Sequence, residues 1–508
     1  MPGNRDSVEA MRMHKATRRL DRALRWATLA TCALVLHVPV HAQSISVNGS
    51  TLTVKELAGV GHLPANQRDR LGETFGSISG LVADASSWRR RIDGSYTGTF
   101  YAAPDRGYNV AGTIDYATRL NRLDIRFKPA PDGSTGLPQN QITLRLTNST
   151  PLFETLGGKR LPISGLDPVP GGVAAGGARE VAGWPELPQA YNGKLSLDAE
   201  GIVILRDGTR LVSDEYGPSI YRFSPGGRLI GALPVAASVR PIRNNVTDYS
   251  SNNPTTGQPA PVPGNPTYGR SNNQGFEGLS LSPDGLTLFV ALQSAARQDG
   301  ASTGPAYRDH TRLFTYDLSD LDNIVLMGEY VVRLPKFVQG TATLVAAQSE
   351  ILALNDTQLL ILPRDSNGFR VGTQLSLLRR IDLIDIGDAT NILGLYVEGA
   401  IAPGGVLNEG ITPALYTPWL NINDNTQLNR FGLVNGVVDG FDKLSEKWEG
   451  LALLPALDPA HPEDFFLFVA NDNDFATTEG FQAGKAYDAG LDIATTFLVW
   501  RVSIRQTQ

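Results

Sequence analysis

Three glutamate–glycine pairs open alternating apolar runs in this chain. They are Glu200-Gly201 in "AEGIVILRDGTRLVSDEYG", Glu277-Gly278 in "FEGLSLSPDGLTLFVALQSA" and Glu449-Gly450 in "WEGLALLPALDPAHPEDFFLFVANDNDF". Each run leads through a turn to a second apolar run and then to a cluster of Asp, Asn, Ser or Gln. Asp207-Gly208 is the favoured pair for a two-residue hairpin, and pairing about that centre sets Glu200 opposite Glu215 and beside Asp214. The same folding back brings Glu277 near Gln293 and Ser294, Glu449 near Asn471 and Asp472, and Ser79 near Asp105. Carboxylates gathered this way repel unless they take up protons or a cation. An oxygen-rich, histidine-poor set suits calcium, which takes about six to eight oxygen ligands. The candidate metal ligands are Asp105, Glu200, Asp214, Glu215, Glu277, Glu449, Asp472 and Asp474, with Asn471 and Asn473 as further oxygens. Turn-capping Asp and Asn, or a Glu bonded to nearby backbone amides, account equally well for any one of them.

The elements that must position these groups are short strands. Unit one is Ser79–Gly107, unit two Glu200–Gly217, and unit three follows Glu277. A weaker unit runs from Ile351 to Gly368, and the last starts at Glu449. Irregularly spaced antiparallel units of this kind predict an all-β fold, a β-propeller whose circular repetition leaves few exposed edges. The N-terminal "SISVNGSTLTVKEL" is expected to join a blade made elsewhere, for six or seven four-stranded blades in all. Two β-sandwiches in tandem are the rival all-β reading. Innermost strands converge on a central channel, so residues before them ring one mouth. Long Gly/Pro/Asn-rich insertions are expected at 129–194 and 241–275, the second a candidate lid because it ends at Glu277.

Bulk properties narrow the chemistry. The chain has 508 residues, 41% hydrophobic and 19% charged, with 53 Gly and 32 Pro, a turn-rich globular composition. Arg18, Arg19, Arg22 and Arg25 precede the apolar "WATLATCALVLHVPV", and "VHA" ends at Ala42, the pattern of an exported protein's cleaved leader, residues 1–42. Residues 43–508 then form a single propeller domain, periplasmic or secreted. Cys32 leaves with the leader, and so do three of six histidines; only His62, His310 and His461 remain. Thiol chemistry and an ordinary zinc site are thereby disfavoured. Losing seven basic and three acidic residues takes the net charge from −6 to −10, which argues against nucleic-acid binding. No later apolar run is long enough for a transmembrane helix, and a monomer without stable membrane insertion is expected.

The stretches "LDAEGIVILRDGTRLVSDEYGPSIYRFSPGGRL", "NQGFEGLSLSPDGLTLFVALQSA" and "EKWEGLALLP…FLFVANDNDF" together resemble the phytase-like propeller family described as "esterase-like activity of phytase". The similarity extends from about Ile78 onward. It implies an exported protein and ester or phosphodiester hydrolysis by recurrent Asp and Glu residues. The matching positions are Glu200, Asp214, Glu215, Glu277, Glu449, Asp472, Asn473 and Asp474, with Asp105, Arg106 and Gly107 in a first-blade "DRG" segment. Two departures stand out. Ser79-Gly80 replaces Glu-Gly in the first unit, and Pro363-Arg364-Asp365 stands where the family tends to have Glu-Arg-Asp.

The leading functional expectation is a calcium-dependent hydrolase of a small phosphate ester or related ester. Glu200, Glu277, Glu449 and Asp214 are its expected catalytic groups, with bound metal neutralising phosphate oxygens and activating water. Arg106, Arg270 and Arg297 are the expected bidentate phosphate clamp. A lactonase-like propeller, with a single metal and no such clamp, is an alternative. A non-catalytic ligand- or protein-binding propeller with structural calcium is another. "GSISG" at Gly76 has isoleucine where a nucleophile elbow needs serine, and "GGKR" at Gly157 lacks the frame of a phosphate loop.

Overall fold

Four of the five innermost strands approach the next blade too closely for a side chain at the glycine that follows the Glu or Ser of their opening pair. A Cβ on Gly80 would lie 2.4 Å from the Glu200 carbonyl oxygen, and one on Gly201 would lie 2.6 Å from Leu279 Cβ. One on Gly278 would meet Ile351 N at 2.7 Å, and one on Gly450 would meet Leu81 Cβ at 2.9 Å. Each contact is to the next blade. The computed structural model describes residues 43–369, 375–395, 399–436 and 443–506, so the leader reading lies outside the described residues.

Blade 1 comprises Gly80–Arg90, Tyr96–Ala103, Arg119–Phe127 and Ile142–Pro151. Blade 2 comprises Ala199–Ile204, Arg210–Asp214, Ser219–Phe223 and Leu229–Ala232. Blade 3 is built from Phe276–Leu281, Thr287–Leu292, His310–Asp317 and Val325–Arg333. Ala347–Ala353, Gln358–Arg364, Arg380–Asp385 and Leu415–Asn421 make blade 4. Blade 5 takes Lys447–Pro455, Asp464–Asp472 and Thr495–Gln506 from the C-terminal part, then Ser50–Leu63 and Ser44–Val47 from the N-terminal part. The inner strands contact one another in order around a closed ring.

Among the described residues the ring therefore has five blades, not the expected six or seven. The N-terminal strands add no blade of their own: Ser50–Leu63 pairs antiparallel with Thr495–Gln506 and completes blade 5. The region 129–194 contains blade 1's outer strand, a 3-10 turn at Val173–Ala175 and two-stranded ribbons, Phe153–Leu156 with Lys159–Pro162 and Ala178–Arg179 with Leu187–Pro188.

The hairpin of blade 2 also differs in register. Ile204 faces Arg210, and Leu205 N–H bonds the Thr209 carbonyl, so Arg206, Asp207 and Gly208 form a three-residue loop. Gly208 takes φ 79°, and the Asp207 carboxylate accepts the Thr209 amide at 2.9 Å, which holds this longer turn. A bulge between Ala199 and Ile202 then realigns the strand, pairing Ala199 with Asp214. Bulges recur at Phe276/Leu279, Gln348/Ile351 and Trp448/Gly450. They place Glu200, Glu277 and Glu449 on the bulged segment, where a side chain is turned out of the regular pleat.

The core lies between blades. At the seam of blades 5 and 1, Trp88 stacks on Tyr96 with centroids 5.1 Å apart, and Phe100 meets Phe468 edge-on at 5.0 Å. Phe276 and Trp448, each preceding a Glu-Gly, are fully buried in such seams. No helix among the described residues is long and apolar enough to cross a membrane.

A candidate carboxylate site at the channel mouth

Inner strands that run in the same sense put their starts, and the ends of the strands beside them, at one end of the ring. Two compact acidic groups form there: Asp198, Glu200 and Glu215, and Asp105, Asp472 and Asp474. Within each, one ligand oxygen per residue lies within 4.8 Å of the others. Glu277 and Glu449 bear electrostatically on both Glu200 and each other, so the three glutamates share one space. Eight carboxylates are thus gathered against three cations, Arg106, Arg364 and Lys447, and all but Asp474 and Lys447 are buried.

The cations are unevenly spent. Lys447 Nζ lies 3.1 Å from Asp474 Oδ1 and is also bonded to Asp472. Arg364 donates to Glu449 and, through Nε, to Ser349 Oγ at 2.9 Å. Arg106 Nη1 is 2.9 Å from Asp198 Oδ2 and its guanidinium sits over the Tyr216 ring at 5.7 Å. Glu277 accepts from Gln293. What remains is a set of buried oxygens with no hydrogen-bond partner: Glu215 Oε1, Glu277 Oε2 and Glu449 Oε2. Buried oxygens of this kind are uncommon in native proteins, and the three here belong to glutamates that share one space.

Electrostatics says the same. Burial first, then the charges of Glu277, Asp198, Glu215 and Glu449, holds the Glu200 carboxyl well above the ordinary range. Burial and then Asp198 push Glu215 up to about 8. Burial, with Glu215 and Glu449 next, raises Glu277. Burial also pushes Asp472 up to about 7, against the pull of Lys447. Asp105 is raised by burial and then by Asp472. A divalent ion would relieve this repulsion, and hard oxygen donors fit calcium.

Not every expected site residue points into this space. Asp214 accepts the amides of Asp198, Tyr216 and Gly217 at 3.0, 3.0 and 2.8 Å, so its carboxylate holds the turn after blade 2's second strand. Arg270 is fully buried and donates to the Tyr216 and Tyr249 carbonyls at 2.9 and 2.7 Å. Arg297 donates to the Pro266 and Ala301 carbonyls at 3.0 and 3.1 Å. The two arginines fasten the 241–275 insertion, helped by Arg243, which bonds the Pro263 and Asp248 carbonyls. Asn471 and Asn473 donate to the Ala494 and Ile493 carbonyls.

Sequence reasoning missed Asp198, Lys447 and Glu350. Asp198 precedes its Glu-Gly by two residues, and Lys447 precedes its own by the same interval; that shared spacing was the available signal. Blade 4 has Ser349 at the bulge position of the other glutamates and Glu350 at the glycine position. Glu350 folds onto the neighbouring blade, accepting the Leu279 and Ile351 amides at 3.0 and 2.9 Å. The odd Pro363-Arg364-Asp365 places a guanidinium where other blades carry Glu215, Gln293 and Asp472.

Comparison with known proteins agrees with the repeated motifs. A secreted protein of uncharacterised function from Arthroderma benhamiae is 36% identical over 460 residues, covering 84% of this chain and 87% of its own length. Among solved structures, a luciferin-regenerating enzyme is 10% identical with a TM-score of 0.29, over 89% of this chain and 97% of that one. A gluconolactonase from Xanthomonas campestris is 9% identical with a TM-score of 0.26, over 83% and 96%. The model of the phytase-like family, described as esterase-like activity of phytase, matches residues 73–475, and the chain belongs to that family.

Proposed function

We propose that this protein is an exported, calcium-dependent ester hydrolase whose site is the open acidic group of Asp198, Glu200 and Glu215, with Glu277 and Glu449 at its edge. The observation that carries this reading is the convergence of three ligand oxygens within 4.8 Å beside unpartnered buried oxygens of Glu215 and Glu277. Calcium bound there would supply charge neutralisation and a lowered pKa for water. The residues of the chain do the rest. Glu200 and Glu215 hold the ion, and Asp214 positions them by fixing the 198–217 turn. Arg106 orients Asp198. Glu277, its carboxyl raised first by burial, is placed to give a proton to a leaving oxygen. Export is supported by the basic-apolar N-terminal segment and by the relative named as secreted. The substrate is a small ester, phosphate esters first, because that is the class the family's description points to. The net acidic domain disfavours nucleic acid.

A lactone substrate is the second reading, and one arrangement favours it. Lys447 occupies the second acidic group, which leaves one open cation site, while Arg270 and Arg297 end on loop carbonyls and clamp nothing. The test is a thermal melt of residues 43–508 in chelator and with calcium restored, beside a Glu200→Gln, Glu277→Gln double variant. A panel of aryl phosphates and lactones is then assayed. A calcium-dependent rise in Tm that the variant lacks, with turnover of either class, supports the reading. No calcium response in the unsubstituted protein ends it.

A further inference from the structure

A second cavity opens beside the mouth, and nothing in the acidic ring uses it. It has a volume of about 330 Å³ and is lined by Trp184, Glu186, Pro218, Pro234, Arg240 and Tyr249. Four separate segments build it: the first insertion, the turn into blade 2's third strand, the segment after its fourth, and the second insertion. We propose that this cavity binds a hydroxylated ring, a single sugar unit or a compound of that chemistry.

The side chains there are polar and unspent. Glu186 Oε2 is buried without a hydrogen-bond partner. Tyr249 is only 2% exposed, and among the described residues neither its hydroxyl, the Trp184 indole N–H nor the Arg240 guanidinium makes a hydrogen bond to protein. Glu186 and Arg240 both bear electrostatically on Tyr249, so an acceptor and a donor flank the same ring. Aromatic and proline walls suit the C–H faces of a saturated ring, while a carboxylate, a guanidinium, a phenol and an indole N–H suit its rim of hydroxyls. A purely apolar ligand would leave the buried Glu186 Oε2 without a partner, and a free phosphate would face the Glu186 carboxylate. The volume is at the small end of ordinary ligand pockets. The cavity touches the mouth through one turn: Gly217, in its wall, donates to Asp214 at 2.8 Å, two residues beyond Glu215. Binding here does not require that the mouth be catalytic.

The experiment is saturation-transfer NMR on residues 43–508 with methyl glucopyranoside, methyl galactopyranoside, methyl mannopyranoside, N-acetylglucosamine and ribose. Glycylglycine is added as a zwitterionic control. At least one sugar should receive saturation, and its affinity should fall tenfold or more in Glu186→Gln and in Trp184→Ala, with the calcium response of Tm intact. Glu186→Gln decides alone if Trp184→Ala does not fold. The proposal is overturned if no sugar binds, if only glycylglycine binds, or if the bound sugar is indifferent to Glu186→Gln.

Discussion

Two acidic groups of equal size face one mouth, and they are compensated in opposite ways. In the group of Asp105, Asp472 and Asp474, the last two bond the Lys447 ammonium, whose charge also acts on Asp105; Lys447 comes from the same inner strand as Glu449. Among the described residues, the one ion pair of Asp198, Glu200 and Glu215 is Arg106 with Asp198, and Arg106 and Arg270 act on Glu215 only through their charge. A lysine is a fixed cation with no open coordination position, so the first group is a finished structural element joining blades 5 and 1. The second has no lysine among its carboxylates, and under the proposed function its charge is met by a bound cation. Two carboxylate triads thus differ in their compensation, and one difference lies two positions ahead of the glutamate: a lysine in blade 5, an aspartate in blade 2.

Removing the lysine is the strongest way to break that contrast. Lys447→Met takes the ammonium away from Asp472 and Asp474 and is expected to cost about 2–3 kcal/mol of stability in chelator at neutral pH, less than deletion from a fully buried ion pair because Lys447 and Asp474 are half-buried. Calcium should restore much of it, because the variant then has two open groups. Urea unfolding with and without calcium measures the first effect, and titration calorimetry the second, as a rise from one calcium to two. A variant as stable as its parent would mean that the lysine does not balance the group.

The second contrast is in pH. Glu215 is held at about 8 in the folded chain, against an ordinary value of 4.5, by burial and then Asp198; Asp472 is held at about 7. A carboxyl raised in the folded state binds its proton more tightly there than in the unfolded chain. Stability is thus greatest below the unfolded value and falls as pH rises through the folded one. In chelator, stability should decline between about pH 5 and 8 by up to about 1.4 kcal/mol per pH unit for each such proton. Calcium should remove the Glu215 part of this slope, where the ion takes the proton's place, and leave the Asp472 part. Denaturation series at several pH values test it, and an equal slope with and without calcium would contradict an open site.

Much of this was legible in the sequence because strand alternation and the Glu-Gly repeat are local signals. The hairpins, the joining of the N-terminal strand to another blade, and the meeting of Glu277 with Gln293 follow from chain folding back on itself. Blade number was not legible, since it depends on whether the terminal strands found a blade or complete one. The three-residue loop at Arg206–Gly208 was misread because Asp-Gly fits both turn lengths, and a bulge then hid the slip. Arg270 and Arg297 misled for a different reason. An arginine near a motif has the same letter whether it faces a ligand or ties down a loop, and only the carbonyls around it decide. Blade 4 was opaque because Ser349-Glu350 inverts the expected order.

The smallest effect distinguishes the two groups most cleanly, because its sign changes with the solution. Glu215→Gln removes one charge from the open group while keeping its shape. In chelator near pH 8 the variant should be more stable than its parent by about 1 kcal/mol, as expected when a crowded buried carboxylate is neutralised. In calcium it should be the less stable of the two, since the ion loses a ligand and its binding free energy no longer adds to folding. A capping glutamate would lose stability in both buffers on this substitution. An ion-holding one must cross over, and Tm measured in the two buffers on one preparation is enough to see which occurs.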